Sequence, residues 1–173
     1  MKRFLLVTIV LAAISISSAA LAFGPYTSVG SNPASTLSVV RNQQGANWEW
    51  IYTLNVQNID ANPVHIFLIG LANTDASHYS GFQVTGTTLD STPTINGESL
   101  EWYFTPISNT TATFRFLTDL QGVDIAAMGA KDGKYSVAWT EVETPGVVPE
   151  ASTIMLGFLG LSSIGGILKI RKH

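Results

Sequence analysis

Three places along the 173-residue chain gather side chains that could do chemistry. Asp75, Ser77 and His78 share the polar stretch Asn73–His78. A hydroxyl, an imidazole and a carboxylate are the parts of an acyl-transfer triad, but a triad needs its nucleophile held in a strained turn against the base. No Gly-x-Ser-x-Gly turn occurs, and Asp75 and His78 have no third ligand at metal-site spacing, so the stretch reads as a solvated loop. Asp119, Asp124 and Asp132 surround the loop Gly122–Gly133 and raise the question of calcium. Their spacing lacks the alternating acidic positions and the twelfth-position Glu of an EF-hand. Glu98 and Glu101 are the residue types of glycoside hydrolysis, but three positions apart on a strand they face opposite ways. Asn109-Thr110-Thr111 matches a glycosylation sequon and reads as a turn. His65 lies in an apolar run and His173 is the last residue. Cysteine is absent, which removes thiol nucleophiles, thiolate metal sites and disulfides. No phosphate loop or dinucleotide fingerprint is present. The chain therefore reads as non-catalytic, with no cofactor and no metal.

What must position any site is set by how polarity is distributed. The chain is 46% hydrophobic and 12% charged, with a mean hydropathy of +0.26, and the apolar excess sits at both ends. From Phe23 to Glu143 four basic residues, Arg41, Arg115, Lys131 and Lys134, face eleven acidic ones, a net charge of −7. An acidic middle argues against a nucleic-acid partner. Residues 1–22 begin with Lys2 and Arg3, continue as an uncharged apolar run, and end Ala20-Leu21-Ala22. Small residues at the third and first positions before a cut suit signal peptidase, so cleavage is expected between Ala22 and Phe23 after export through the Sec translocase.

At the other end, residues 151–168 carry no charge. As a helix they reach about 27 Å at 1.5 Å per residue, close to the thickness of a hydrocarbon core. Lys169, Arg171 and Lys172 follow, and positive charge stays on the cytoplasmic side. Ahead of the span stands Val148-Pro149-Glu150-Ala151-Ser152-Thr153. Motif, membrane-length span and basic cluster, in that order, resemble a PEP-CTERM sorting tail. Ala151 stands where the common motif has its second proline. The resemblance covers about 25 residues and implies an exosortase as partner, a membrane enzyme thought to cut near the motif. It also implies a transiently anchored protein that ends in the cell envelope or outside. The alternative is a plain tail anchor.

Between the ends, period-two alternation dominates. Trp48, Trp50, Tyr52, Leu54 and Val56 alternate with more polar residues, the pattern of a half-buried strand. Leu37 and Val39 precede it across a turn at Asn42–Asn47, which predicts a hairpin. Val64–Leu71 is apolar on both faces apart from His65 and predicts a central strand. Phe82 and Val84, then Leu100, Trp102 and Phe104, then Ala112, Phe114 and Phe116, then Tyr135, Val137 and Trp139 mark further strands. Gly122–Ala130 is the one candidate for a helical turn. About seven strands predict an all-β chain, an antiparallel β-sandwich over residues 23–143, flanked by a signal peptide at 1–22 and a transmembrane helix within a tail at 151–173. All four tryptophans are expected on inward faces. Glu143–Pro149, with two prolines and a glycine, is expected to be an extended spacer that occupies 144–150 with the start of the motif. The function expected is that of a sorted envelope or extracellular-matrix protein. The alternative is a surface carbohydrate-binding module with extracellular polysaccharide as its partner, which a row of exposed aromatics would favour.

Overall fold

A computed structural model describes residues 20–29, 35–57, 63–131 and 136–148. Most of the expected leader, Asp132, Tyr135, the motif from Pro149 to Thr153, the span 151–168 and the basic residues Lys169, Arg171 and Lys172 lie outside the described residues. Among the described residues no helix is long and apolar enough to cross a membrane.

The chain is all-β, with two antiparallel sheets. The first sheet has the order β1-β2-β3-β8-β5, from β1 (Leu21–Thr27), β2 (Thr36–Gln44), β3 (Asn47–Asn55), β8 (Thr111–Thr118) and β5 (Tyr79–Thr85). The second has the order β10-β9-β4-β7-β6, from β10 (Ser136–Gly146), β9 (Gly122–Lys131), β4 (Val64–Gly70), β7 (Ser99–Ile107) and β6 (Thr94–Asn96). The expected hairpin is present as β2 and β3, with a turn tighter than Asn42–Asn47: Gln44 pairs Asn47 and only Gly45-Ala46 lie between. The apolar run at Val64 is the central strand of its sheet, as its two-sided hydrophobicity requires.

One core lies between the sheets. Trp50, Tyr52 and Leu54 of β3, Phe114 and Phe116 of β8, Phe67 and Ile69 of β4 and Trp102 and Phe104 of β7 are all fully buried. Rings from the two sheets meet directly: Phe67 and Phe114 at 4.8 Å between centroids, Phe104 and Phe114 at 5.1 Å, Trp102 and Phe114 at 5.3 Å. Tilted and edge-on contacts of this kind add about 0.5–1.5 kcal/mol per pair beyond area burial. Trp139 is also buried, whereas Trp48 is only half-buried at the margin of the core.

Ten strands are described where the alternation pattern predicts about seven. The differences have particular causes. β6 has three residues, too few to show a period. β1 is broken in register between Phe23 and Tyr26, around Gly24-Pro25. β9 corrects the helical turn expected at Gly122–Ala130: it is a strand whose large apolar residues, Val123 and Ile125, face outward, while Ala126, Met128 and Ala130 face the core. That inversion hides the strand from a reading that assigns large apolar residues to the inside.

β10 corrects the expected boundary at residue 143. A bulge sets Thr140 and Glu141 beside Ala127, between the pairs Trp139–Met128 and Val142–Ala126. Trp139 and Val142 are consequently both buried, although their spacing breaks period two. Pairing then continues through Thr144, Pro145 and Gly146, so the first three residues of the expected spacer belong to the strand. A proline is tolerated there because β10 is the edge of its sheet.

Candidate functional site

The polar loop flagged for chemistry does not assemble as Asp75 with His78. Asp75 caps the 3₁₀ turn Ala76–His78, accepting the backbone N–H of Ser77 at 2.9 Å. That bond, with the Ser77 side chain, holds the Asp75 carboxyl below its ordinary value. His78 turns instead to Asp119, at 2.7 Å from Nδ1 to Oδ1 across 41 residues of sequence. The link was invisible in the sequence because only the pairing of β5 with β8 brings the two together: Tyr79 stands opposite Thr118. Asp124 lies apart from that pair, its Oδ1 accepting the N–H of Ile125 at 2.8 Å. Glu98 lies in the turn between β6 and β7, while Glu101 on β7 accepts the Tyr103 hydroxyl at 2.8 Å and an Asn96 amide N–H at 3.2 Å. Among the described residues no group of three or more His, Cys, Asp or Glu is placed to hold a metal ion.

β10 ends at Gly146, two residues before the last described residue. Thr144 donates to the Gly70 carbonyl at 2.7 Å and is fully buried. Glu143 accepts the Tyr26 hydroxyl with its carboxylate and the Tyr52 hydroxyl with its carbonyl, the latter at 3.1 Å. Burial pushes the Tyr52 phenol well above its ordinary value, so it remains a donor. Just beyond the end of β1, Val29 also bridges Ala138 of β10. The two sheets are thus stitched along this edge as far as Glu143, and pairing with β9 carries β10 on to Gly146. Immediately after it, Val147 and Val148 are exposed, at 67% and 55%. They line a cavity of about 250 Å³ with His78, Asp119, Leu120 and Gln121. Compared with protein-family models, with curated proteins and with solved structures, the chain matches none.

Arg41, on the inward side of β2, donates to the carbonyl of that same Gln121 and lies 3.6 Å over the Trp48 ring. Burial lowers its pKa, and the indole face supplies the electrostatic contact that a carboxylate would otherwise make. The residues expected to flank leader cleavage lie at the opposite end of the chain: Ala20 just precedes β1, Ala22 pairs Val40 and Phe23 pairs Val39. A cut between Ala22 and Phe23 leaves Phe23, Tyr26 and Thr27 to hold the strand.

A polar cluster that the sequence reading passed over lies on the outer face of the first sheet. Glu49 of β3 is buried and accepts from the Arg115 guanidinium of β8 and from Asn42 at 3.3 Å. Burial alone would raise the Glu49 carboxyl; hydrogen bonds from Arg115, Asn42 and Gln44 and the Arg115 charge outweigh it and hold the carboxyl below its ordinary value. A depressed carboxylate stabilises the fold above its unfolded pKa and loses that contribution as pH falls through its folded one. Glu49→Gln is therefore expected to cost roughly 1–2 kcal/mol at pH 7, the loss of charge-assisted hydrogen bonds to a partly solvated partner. The deficit should begin to shrink as pH falls below the ordinary glutamate value of about 4.3 and disappear once the parent carboxylate, held lower, protonates as well. Denaturant melts of both proteins at several pH values check this; a pH-independent difference would mean that the charge contributes nothing.

Proposed function

We propose that the chain is an exported, non-catalytic protein of the bacterial envelope or extracellular matrix, sorted by an exosortase through its C-terminal tail. The observation that carries this reading is the order Val148-Pro149-Glu150-Ala151-Ser152-Thr153, an uncharged membrane-length run, and the cluster Lys169, Arg171 and Lys172. The leader, with Ala20, Ala22 and Phe23 around its cut, delivers residues 23 onward across the membrane. The tail then holds them with the C-terminus in the cytoplasm until the enzyme acts.

The shape of the β-domain supports this. Its last strand ends at Gly146, two residues before the motif's first residue, and Val147 and Val148 are exposed. Pro149 disfavours helix at Val148, so the approach to the motif is an extended peptide that an enzyme can take up. Burial of Trp50, Trp102 and Trp139 supports a scaffold role over a lectin that stacks sugars on a row of tryptophans.

The test is a tagged protein in its own host, fractionated with and without the exosortase. Loss of the span is expected only when the enzyme is present, and Pro149→Ala with Glu150→Ala should leave full-length protein in the membrane. A span retained in both strains would make the tail a plain anchor. A span removed in both would assign the cut to another protease.

A further inference from the structure

The outer face of the β1-β2-β3-β8-β5 sheet carries a groove of about 250 Å³, lined by Gln44, Glu49, Gly81, Gln83, Arg115, Phe116 and Leu117. It exists because β5 bulges. Ser80 pairs Leu117 and Gln83 pairs Arg115, so Gly81 and Phe82 together stand opposite the single residue Phe116. Phe82 turns in to meet Trp102 at 5.6 Å between ring centroids, while Gly81 leaves the outer side open. A Cβ at Gly81 would lie 3.1 Å from the Leu117 side chain, at the wall of the groove.

The polar groups there have a definite chemistry. Glu49 and Arg115 cancel each other's charge, and Gln44 and Gln83 add amides that both donate and accept. A neutral site with closely set donors and acceptors complements vicinal hydroxyls, each of which also donates and accepts. An anionic ligand would meet a guanidinium already neutralised on a domain of net acidic charge. A cation would meet one carboxylate already occupied. Leu117 is the one apolar side chain that faces the groove, since the Phe116 ring is fully buried in the core, and one is too little for a hydrophobic partner.

Beside the groove runs an uncharged row. Ser38 pairs Thr53, Thr53 pairs Thr113 and Thr113 pairs Thr85, so four hydroxyls cross four strands on the same face. Thr53 and Thr113 are within hydrogen-bond distance through their Oγ1 atoms, at 3.4 Å. At a strand spacing of 4.7–4.9 Å the row spans roughly 14 Å, longer than one sugar ring.

We propose that this sheet face binds an uncharged polysaccharide, with Gln44, Glu49, Gln83 and Arg115 reading the hydroxyls of one sugar unit and the Ser38–Thr85 row supporting the neighbouring units. The proposal is independent of the tail and of its processing. With no aromatic platform in the groove, binding rests on hydrogen bonds, so affinity is modest and gains from repeated units.

The test uses the full-length chain in a detergent without a sugar headgroup. Its migration is measured in native gels containing hydroxyethylcellulose, dextran or galactomannan, with alginate as the anionic comparison. Retardation by at least one neutral polymer, and none by alginate, is expected. Gln44→Ala with Gln83→Ala should weaken retardation about tenfold or more, as loss of two ligand hydrogen bonds implies, with only the small drop in melting temperature that loss of the Gln44–Glu49 hydrogen bond brings. Glu101→Gln, on the other sheet, should leave it unaltered. Three results would each overturn the proposal: no retardation by any of the three neutral polymers, retardation by alginate of equal strength, or a double variant that binds as its parent does.

Discussion

Trp50→Ala should destabilise the β-domain by about 3–5 kcal/mol, the range for emptying an aromatic position in a core. Trp50 is fully buried, stacks on Tyr52 at 6.1 Å between centroids, and lies 5.5 Å from the Arg41 guanidinium. Truncation leaves a cavity beside Tyr52 and removes one of two indole faces near a buried cation. Trp50→Phe should cost much less than the alanine change. The indole Nε1 is buried without a hydrogen-bond partner among the described residues, so its removal relieves a desolvation cost while most of the ring volume is kept. Residues 23–148 expressed alone should show a far-UV spectrum dominated by β-structure, and denaturant unfolding of that fragment measures both changes. Equal losses for alanine and phenylalanine would show that the indole N–H is satisfied in solution. An unchanged midpoint for the alanine variant would put Trp50 on the surface.

Gly86→Ala should approach the same size by a different route, at about 2–5 kcal/mol. Gly86 follows β5 with φ at +84°, a region that costs an L-residue roughly 1–2 kcal/mol. An added Cβ would also fall 2.2 Å from the Thr111 carbonyl oxygen and 3.2 Å from the Ala112 Cα, both in the backbone of β8. Backbone in a paired strand cannot move aside as a flexible side chain can, so overpacking adds to the conformational cost. The loss should appear in the denaturation midpoint, together with faster hydrogen exchange at Thr111 and Ala112. A cost below about 1 kcal/mol would mean that the turn after β5 relaxes away from β8, and the edge of the first sheet would be softer than its pairing implies.

The strands with regular alternation were legible because each buried only one face along an unbroken register. β3 and β8 follow that rule and β7 follows it as far as Phe104, before its register shifts; the two-sided apolar run of β4 located the middle of a sheet. Where a bulge reverses the inward parity, as between Trp139 and Val142, or where valine and isoleucine face outward, as on β9, the period stops reporting the strand. Pro145 was misleading for a related reason: a proline excludes a central strand, and whether β10 is central or at an edge depends on partners distant in sequence.

The division between chain and fold follows range. Sequence alone determined the features whose meaning is local or compositional: the basic, apolar start that ends in Ala20-Leu21-Ala22, the absence of thiols, the acidic middle, the all-β character, and the contiguous order of Val148–Thr153, an uncharged apolar run and a basic cluster. Tertiary structure decided the features that require two strands to meet. It gave His78 to Asp119 rather than to Asp75, placed Arg41 against Trp48 and Gln121, tied Glu143 to Tyr26 and Tyr52, and set Glu49 beside Arg115. These pairs are separated by 7 to 117 residues, and the nearest, Arg41 with Trp48, is joined only by the hairpin. A side chain's type states which bonds it can make; register and sheet order choose the partner, because in a pleated sheet a shift of one residue sends every side chain to the other face.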